Sequence, residues 1–427
     1  MKVRSVFTVV QRFVLRKGVW YWVRLLCLLI LGAFASHRLK EDTQDTSLTD
    51  LRYWLYRHQL GMQSRAPDYP RRTAVVTIED DDYWGNDFAR RSPLRRDLLA
   101  KILDKLSQAG VNTVVLDVDL RSPDPEHPDI DFAGYRQEDE ALLDSIRAAC
   151  AQGQTIVLGV SVRNKKGEYV QAPSIFSSAL AGDRGLSCVK TGYMQLPTDM
   201  RLVPGLLHLG SGQGLESLSL ATIKCIDPTA YRTVTDHPQR GFRFSRYLSE
   251  EAFTKPWDGK RFRFNWHELQ QADLPDLRKA LADRVVLVGG AWHISAKGQG
   301  PEVDSYDSPM GRMPGVFLHA NFIEALHGER GTFAPVSDTT GEILELILAF
   351  VLAVIGALEI RALWKWAALA TSFVISFALS YVLLENLGIF LDFLVPMIII
   401  TGHTLVDEFL TMRDEIRGLK KHAEVHT

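Results

Sequence analysis

Cysteine is scarce in this chain: four among 427 residues, with no Cys-x-x-Cys pair. The common spacing of a structural zinc site is therefore missing. A surplus of either charge is missing too. Net charge is −2 and charged residues make up 23%, so no nucleic-acid surface is implied. No P-loop occurs, and neither Gly210-Ser-Gly-Gln-Gly214 nor Gly289-Gly290 fits the dinucleotide fingerprint after a first strand. The acidic loop of residues 121–134 lacks the Asp-x-Asp-x-Asp-Gly order of an EF-hand. No Gly-x-Ser-x-Gly elbow supplies a hydrolase nucleophile. These absences predict a protein with no catalytic residues, no cofactor and no resident metal.

Long apolar runs are what the chain does have, and they sit at its two ends. Residues 1–18 carry Lys2, Arg4, Arg12, Arg16 and Lys17 and no acid. Residues 19–36 follow as an apolar stretch broken by Arg24, short for a span of about 20 residues unless the arginine snorkels. An uncleaved anchor is expected; the rival is a signal peptide cut near Ala33-Phe34-Ala35. Residues 342–408 hold three further candidate spans, at 343–360, 363–384 and 389–406. Arg361 and Lys365 lie between the first two, and Arg413, Arg417, Lys420 and Lys421 follow the last. The positive-inside rule then predicts both termini in the cytoplasm of a bacterial cell membrane and residues 37–341 outside it. Ala368, Ser372, Ser376 and Ser380 recur every four residues, a face suited to close helix packing or a homodimer. Pro396, Gly402 and His403 interrupt the last span, and the histidine reads as a packing residue. Leu405, Phe409, Met412, Ile416 and Leu419 continue into the cytoplasmic tail, residues 409–427, with heptad spacing.

The middle of the chain is ordinary globular sequence. Leu48–Arg57 reads as a short amphipathic helix. Ala74–Ile78 is a first strand ending in Glu79, Asp80, Asp81 and Asp82. A helix is predicted to open at Ser92-Pro93 and to bury Leu94, Leu98, Leu99, Ile102, Leu103 and Leu106 before Gly110 stops it. Thr113–Leu120 is a buried strand whose alternation sets Val114, Leu116, Val118 and Leu120 against Asp117 and Asp119. Carboxylates at the carboxyl end of a strand mark the usual ligand edge of a parallel sheet; the alternative is a purely structural pair, or a site for calcium or magnesium. A helix at 139–149 and a strand at 155–161 complete a β-α-β-α-β order, and a further buried strand is read at 284–290. Residues 163–283 read as an insertion with antiparallel strands. A helix follows at Val316–Leu326, on which His319 takes a buried-face position. The fold class is thus α/β: a mostly parallel three-layer exported domain with an antiparallel insertion, plus a helical membrane bundle. For the exported cysteines, a Cys188–Cys225 disulfide is expected, leaving Cys150 buried and free.

Taken in order, several of these stretches resemble the extracytoplasmic CHASE domain, type two, a sensory module of bacterial receptors. They are Val75–Ile78 with its acids, Ser92-Pro93 with Arg95, Gly110–Asp117, Asp139 with its helix, Val285–Gly289, Asp307-Ser-Pro309 and Pro314–Asn321. Asp50-Leu-Arg52 and the layout of one span before and three after also fit, over residues 45–410. The resemblance implies a sensor that passes an external signal to a cytoplasmic kinase or nucleotide cyclase. After Arg413 about fifteen residues remain, too few for such a domain, so a separate cytoplasmic partner contacted by the tail is expected. The resemblance assigns no ligand to particular residues. Glu79, Asp80, Arg95, Asp117, Asp119 and His319 are expected to bind an external small molecule or ion, with lipid around the bundle. Rival functions are a membrane-tethered metal-dependent enzyme and a structural subunit of a membrane assembly.

Overall fold

The computed structural model describes residues 46–60, 71–121, 132–236, 242–256, 260–295, 302–327, 331–333 and 362–387, with scattered positions in 340–351 and 389–417. It divides into two compact units: residues 60–335, and a second unit drawn from residues 1–59 and 336–427. The basic flank, the first apolar segment and the loop of 122–131 lie outside the described residues.

The unit of residues 60–335 is built on six strands. They are β1 (Thr73–Ile78), β2 (Thr113–Asp117), β3 (Thr155–Val160), β4 (Val189–Tyr193), β5 (Arg263–Asn265) and β6 (Val285–Gly290), in spatial order β5-β1-β6-β2-β3-β4. Every pairing between them is parallel. Val75, Leu287, Val115 and Val157 stand in one row across the four central strands. All four are buried, as expected of a parallel sheet covered on both faces.

Alternation along the strands creates two layers of core. Ala74, Val76, Ile78, Val114, Leu116, Ile156 and Leu158 join one cluster with α3 (Arg96–Gln108), α4 (Phe132–Ala151) and α6 (Leu274–Leu281). From α3 this core takes Leu98, Leu99, Ile102, Leu103 and Leu106, the face set by the leucine spacing. Val118 and Leu120 belong to the same cluster, so the side of the sheet read for them is the observed one. Deleting such a side chain, as in Leu103→Ala, costs about 2–5 kcal/mol. Helices α5 (Leu218–Ile226) and α7 (Gly315–His327) cover the opposite face.

Helix α3 opens later than Ser92-Pro93 predicts. Arg95 is still extended, and the first helical residue is Arg96. Its free backbone N–H donates to Glu138 Oε2 of α4 at 3.2 Å, so a neighbouring helix supplies the cap. Buried Arg96 also forms an ion pair with Asp139 and donates to the Arg121 carbonyl at 2.6 Å. Gly110, at φ +78°, ends the segment in the left-handed region that favours glycine.

Antiparallel pairs occupy much of the predicted insertion: 162–165 with 168–171, 206–208 with 214–216, and 202–203 with 242–244. Yet β4 and β5 also arise there and join the main sheet as its two edges. An edge strand has one partner and tolerates short, polar sequence such as Val189-Lys-Thr-Gly-Tyr and Arg263-Phe-Asn, which hides it from a search for apolar runs.

The disulfide corrects the expected Cys188–Cys225 pair: it joins Cys150 to Cys188, with Cα atoms 5.3 Å apart. Helix α4 ends just before β3, and Cys188 just precedes β4, the neighbour of β3. Both cysteines therefore arrive at the same end of adjacent strands. Cys225 lies on α5, across the sheet, and keeps its thiol, which donates to the Ala221 carbonyl at 3.3 Å.

In the second unit, α1 (Thr46–Gln59) is the helix read at Leu48–Arg57; it groups here rather than with the α/β unit. Helix α8 (Ala362–Leu387) contains Trp366–Leu384, 19 residues with mean hydropathy 2.0. Among the described residues it is the one helix long and apolar enough to cross a membrane. Ser376 and Ser380 are buried, whereas Val374, Ile375 and Val382 are exposed. The other expected spans fall wholly or mostly outside the described residues; of the one at 343–360, Ile343, Leu346, Ile347, Phe350 and Val351 are helical and exposed.

Candidate functional site

The carboxyl ends of β1, β6 and β2 form one edge of the sheet, and the acidic residues read there divide into two groups. The first is rich in hydrogen-bond donors. Glu79, after β1, accepts the Thr77 hydroxyl at 2.7 Å and Arg263 Nη2 at 3.0 Å. Arg263 also reaches Glu250 at 2.7 Å. Asp80 opens α2 (Asp80–Trp84) and takes the His293 backbone N–H and imidazole Nδ1, each at 2.7 Å. Trp84 Nε1 donates to the His293 carbonyl at 3.1 Å, which pins the loop after β6 to α2. Asp82 accepts the Glu79 N–H at 2.9 Å, and its burial raises its carboxyl to about pKa 6. Glu79 and Asp80 are thus fully engaged in closing the strand ends.

The second group is centred on Asp117. Asp117 ends β2 on the side of Val115, facing α7. Its neighbour across the ladder is Gly289, where an added Cβ would lie 2.7 Å from Val316 of α7. Glycine here lets α7 lie close on the sheet and brings His319, one turn further on, over Asp117. The Asp117 and His319 side chains are 5% and 2% exposed, and Asp117 Oδ1 lies 3.6 Å from His319 Nε2. That is too long for a hydrogen bond. Nε2 instead donates to the Met194 carbonyl at 3.1 Å, and Nδ1 is buried without a hydrogen-bond partner. Asp117 accepts no hydrogen bond from the described residues.

Asp304 completes the group. Its backbone is in the left-handed region, at φ +61°, and its carbonyl accepts the N–H of Gly315, first residue of α7, at 2.8 Å. A Cβ on Gly315 would stand 2.4 Å from Asp304 Oδ2, so glycine at that position makes room for the carboxylate. Tyr306 donates its hydroxyl to Asp304 Oδ1 at 2.7 Å. Tyr306 belongs to β7 (Ser305–Ser308), paired with β8 (Gly311–Pro314).

Desolvation governs the electrostatics of this group. Burial pushes the Asp117 carboxyl up to about 7 and the His319 imidazole down to about 4. Asp304 is raised to about 6, first by burial and then by the Asp117 charge. Charge is poorly solvated at Asp117 and His319, whereas Asp304 keeps a side open to water that tempers its shift.

The structure therefore brings Asp117 and His319 together, places Glu79 and Asp80 on the same edge, and sets Arg95 and Asp119 apart. Arg95 grips Asp97 with two bonds of 3.1 and 2.6 Å and donates to the Asp87 carbonyl at 2.9 Å. Asp119 pairs with Arg121 beyond the end of β2. Neither bonds to Asp117 or His319. Asp304, Tyr306 and His293 were not singled out from the sequence. They lie in polar segments without periodicity, and the one signal was the neighbouring Asp307-Ser-Pro309 and Pro314–Asn321 pattern. Among the described residues no three His, Cys, Asp or Glu side chains are arranged to hold a metal ion.

Comparison with known proteins gives one match. The model of a protein family described as CHASE2 domain matches residues 25–358. No curated protein and no solved structure matches the chain.

Proposed function

The chain belongs to the CHASE2 domain family, an extracytoplasmic sensory family, and from that premise we propose that it is a membrane-anchored receptor whose α/β unit senses outside the cell and whose tail reports to a separate cytoplasmic partner. The observation that carries the reading is the Asp117–His319–Asp304 group. It lies at the strand ends, where parallel sheets bind ligands, and it involves both a central strand and a covering helix. A change of charge there acts on α7 through Asp304 and Gly315. Signalling is then a population shift between two arrangements of the protein.

Helix α8 and the expected spans beside it are the proposed route across the membrane, in the orientation with both termini inside. The heptad residues, among them exposed Ile416, are the proposed contact with the partner.

The test is photocross-linking in living cells from a photoreactive residue at Ile416, followed by mass spectrometry. Recovery of one abundant cytoplasmic kinase, cyclase or regulator is the expected outcome. Cross-links to the chain itself alone would refute the separate partner and favour a structural dimer.

A further inference from the structure

Among the described residues, the buried carboxylates Asp139, Glu324 and Asp82 are met by donors. Asp139 has Arg96. Glu324 accepts the N–H groups of Arg72 and Thr73 and the Thr73 hydroxyl, each at 2.7 Å. Asp82 has the Glu79 N–H. Asp117 has nothing from the described residues, and a second carboxylate, Asp304, stands beside it with one phenolic donor. The His319 imidazole, 3.6 Å from Asp117, spends its proton on Met194 and offers a bare lone pair at Nδ1. The buried pair Asp117 and His319 therefore has more acceptors than donors, in a place where an unmet acceptor is costly, while Asp304 and Tyr306 beside it are exposed to solvent.

A hydrogen has to come from outside the group. No described set of three ligands can hold a metal there, and side chains 5% and 2% exposed admit no organic cation. The ligand that fits is the smallest one. We propose that Asp117, His319 and Asp304 form a proton-binding site, and that the input the domain reads there is external acidity. This rests on the reading of the domain as an extracytoplasmic sensor.

The position of each group says where the proton resides. Asp304 lies against Gly315 at the N-terminus of α7, where the helix dipole favours its anion. Asp117 has no such support, and its burial lifts its carboxyl to about 7; His319, depressed to about 4, competes poorly. The surrounding elements add little charge. Strand β6 contributes Gly289 and Gly290, the end of β4 only the Met194 carbonyl, and α5 the apolar Leu218 and Ala221, its Lys224 being turned to Glu216. Of the segment at 302–306, Tyr306 caps Asp304, while Glu302 feels Glu250, His293 and Arg263. In acid the proton on Asp117 keeps that carboxyl neutral near Asp304. Its loss leaves two like charges beside the first turn of α7, and their repulsion is the force that drives the change.

The experiment is pH-difference infrared spectroscopy of the full chain in lipid nanodiscs, with carbon-13-labelled aspartate to identify the bands. A protonated-aspartate carbonyl band should vanish with a midpoint near pH 7. It should be absent in Asp117→Asn and persist in Asp82→Asn. Asp304→Asn, which removes the neighbouring charge, should move the midpoint to lower pH; this variant decides the matter if Asp117→Asn does not fold. Absence of any aspartate band titrating near neutrality, or a band that survives in folded Asp117→Asn, would overturn the proton site. The spectra need no partner, so that result leaves the receptor reading standing. Conversely, a titrating Asp117 in a protein whose tail captures no cytoplasmic partner keeps the site and removes its sensory role.

Discussion

Substituting Asp117 by asparagine should make the protein more stable at alkaline pH, an unusual outcome for a buried polar position. Asn has nearly the same shape and no charge. The carboxyl of Asp117 has a folded value of about 7 against 3.8 in the unfolded chain. Because the folded state holds the proton more tightly, the group's contribution is fully present below pH 3.8 and is lost as pH rises through 7. The gap of about three pH units corresponds to roughly 4 kcal/mol, since one unit is about 1.4 kcal/mol. For a unit of this size that is on the order of 8 °C in melting temperature. Asp304 and Asp82 titrate in the same direction, with values raised to about 6, so the wild-type curve alone does not isolate Asp117. The difference between wild type and Asp117→Asn does. Thermal unfolding of the full chain, followed by tryptophan fluorescence from pH 3 to 8, should show the two melting close together at the acid end and the variant ahead in alkali. A variant less stable by the same amount at every pH would refute the reasoning, because it would mean that the carboxylate makes a favourable native contact.

Other parts of the structure give equally specific expectations. Removing the guanidinium in Arg96→Met strands the buried Asp139 and should cost about 3–5 kcal/mol in chemical denaturation, more than an exposed pair such as Arg136–Glu140. Non-reducing peptide mapping should join the Cys150 and Cys188 peptides and leave Cys225 open to alkylation after unfolding, and Cys150→Ser should lower stability by about 2–4 kcal/mol. Gly289→Ala places a methyl group against Val316 of α7 and should cost about 1–3 kcal/mol by overpacking; an unchanged melting temperature would show that α7 does not lie close on the sheet there.

What the sequence revealed and what it hid follow from the range of the interactions involved. The strands at Thr73–Ile78, Thr113–Asp117, Thr155–Val160 and Val285–Gly290 are fully covered, so each needs an apolar run that stands out locally. The leucine face of α3 and the last helix, with His319 on a buried face, were legible for the same reason. Alternation also set Asp117 opposite Leu116 and Val118. It failed for Asp119, because the strand ends at Asp117 and the chain turns to pair Asp119 with Arg121. The cap of α3 comes from Glu138, 42 residues away, which no local pattern encodes. The same holds for the disulfide: the packing order of β3 and β4, not cysteine spacing, puts Cys188 beside Cys150. Asp304 was the largest omission. Its carbonyl is held by the N–H of Gly315, a contact that no local pattern around Asp304 encodes.

The most direct measurement compares wild type with Asp117→Asn, both carrying the photoreactive residue at Ile416, in cells shifted from external pH 8 to pH 6. If the strand-end group communicates with the tail, wild type will change its yield of partner cross-link on the shift, and Asp117→Asn will hold the acid-state yield at both values. Equal yields in all four samples would contradict the account, since the charge at Asp117 would then have no bearing on what the segment around Ile416 contacts.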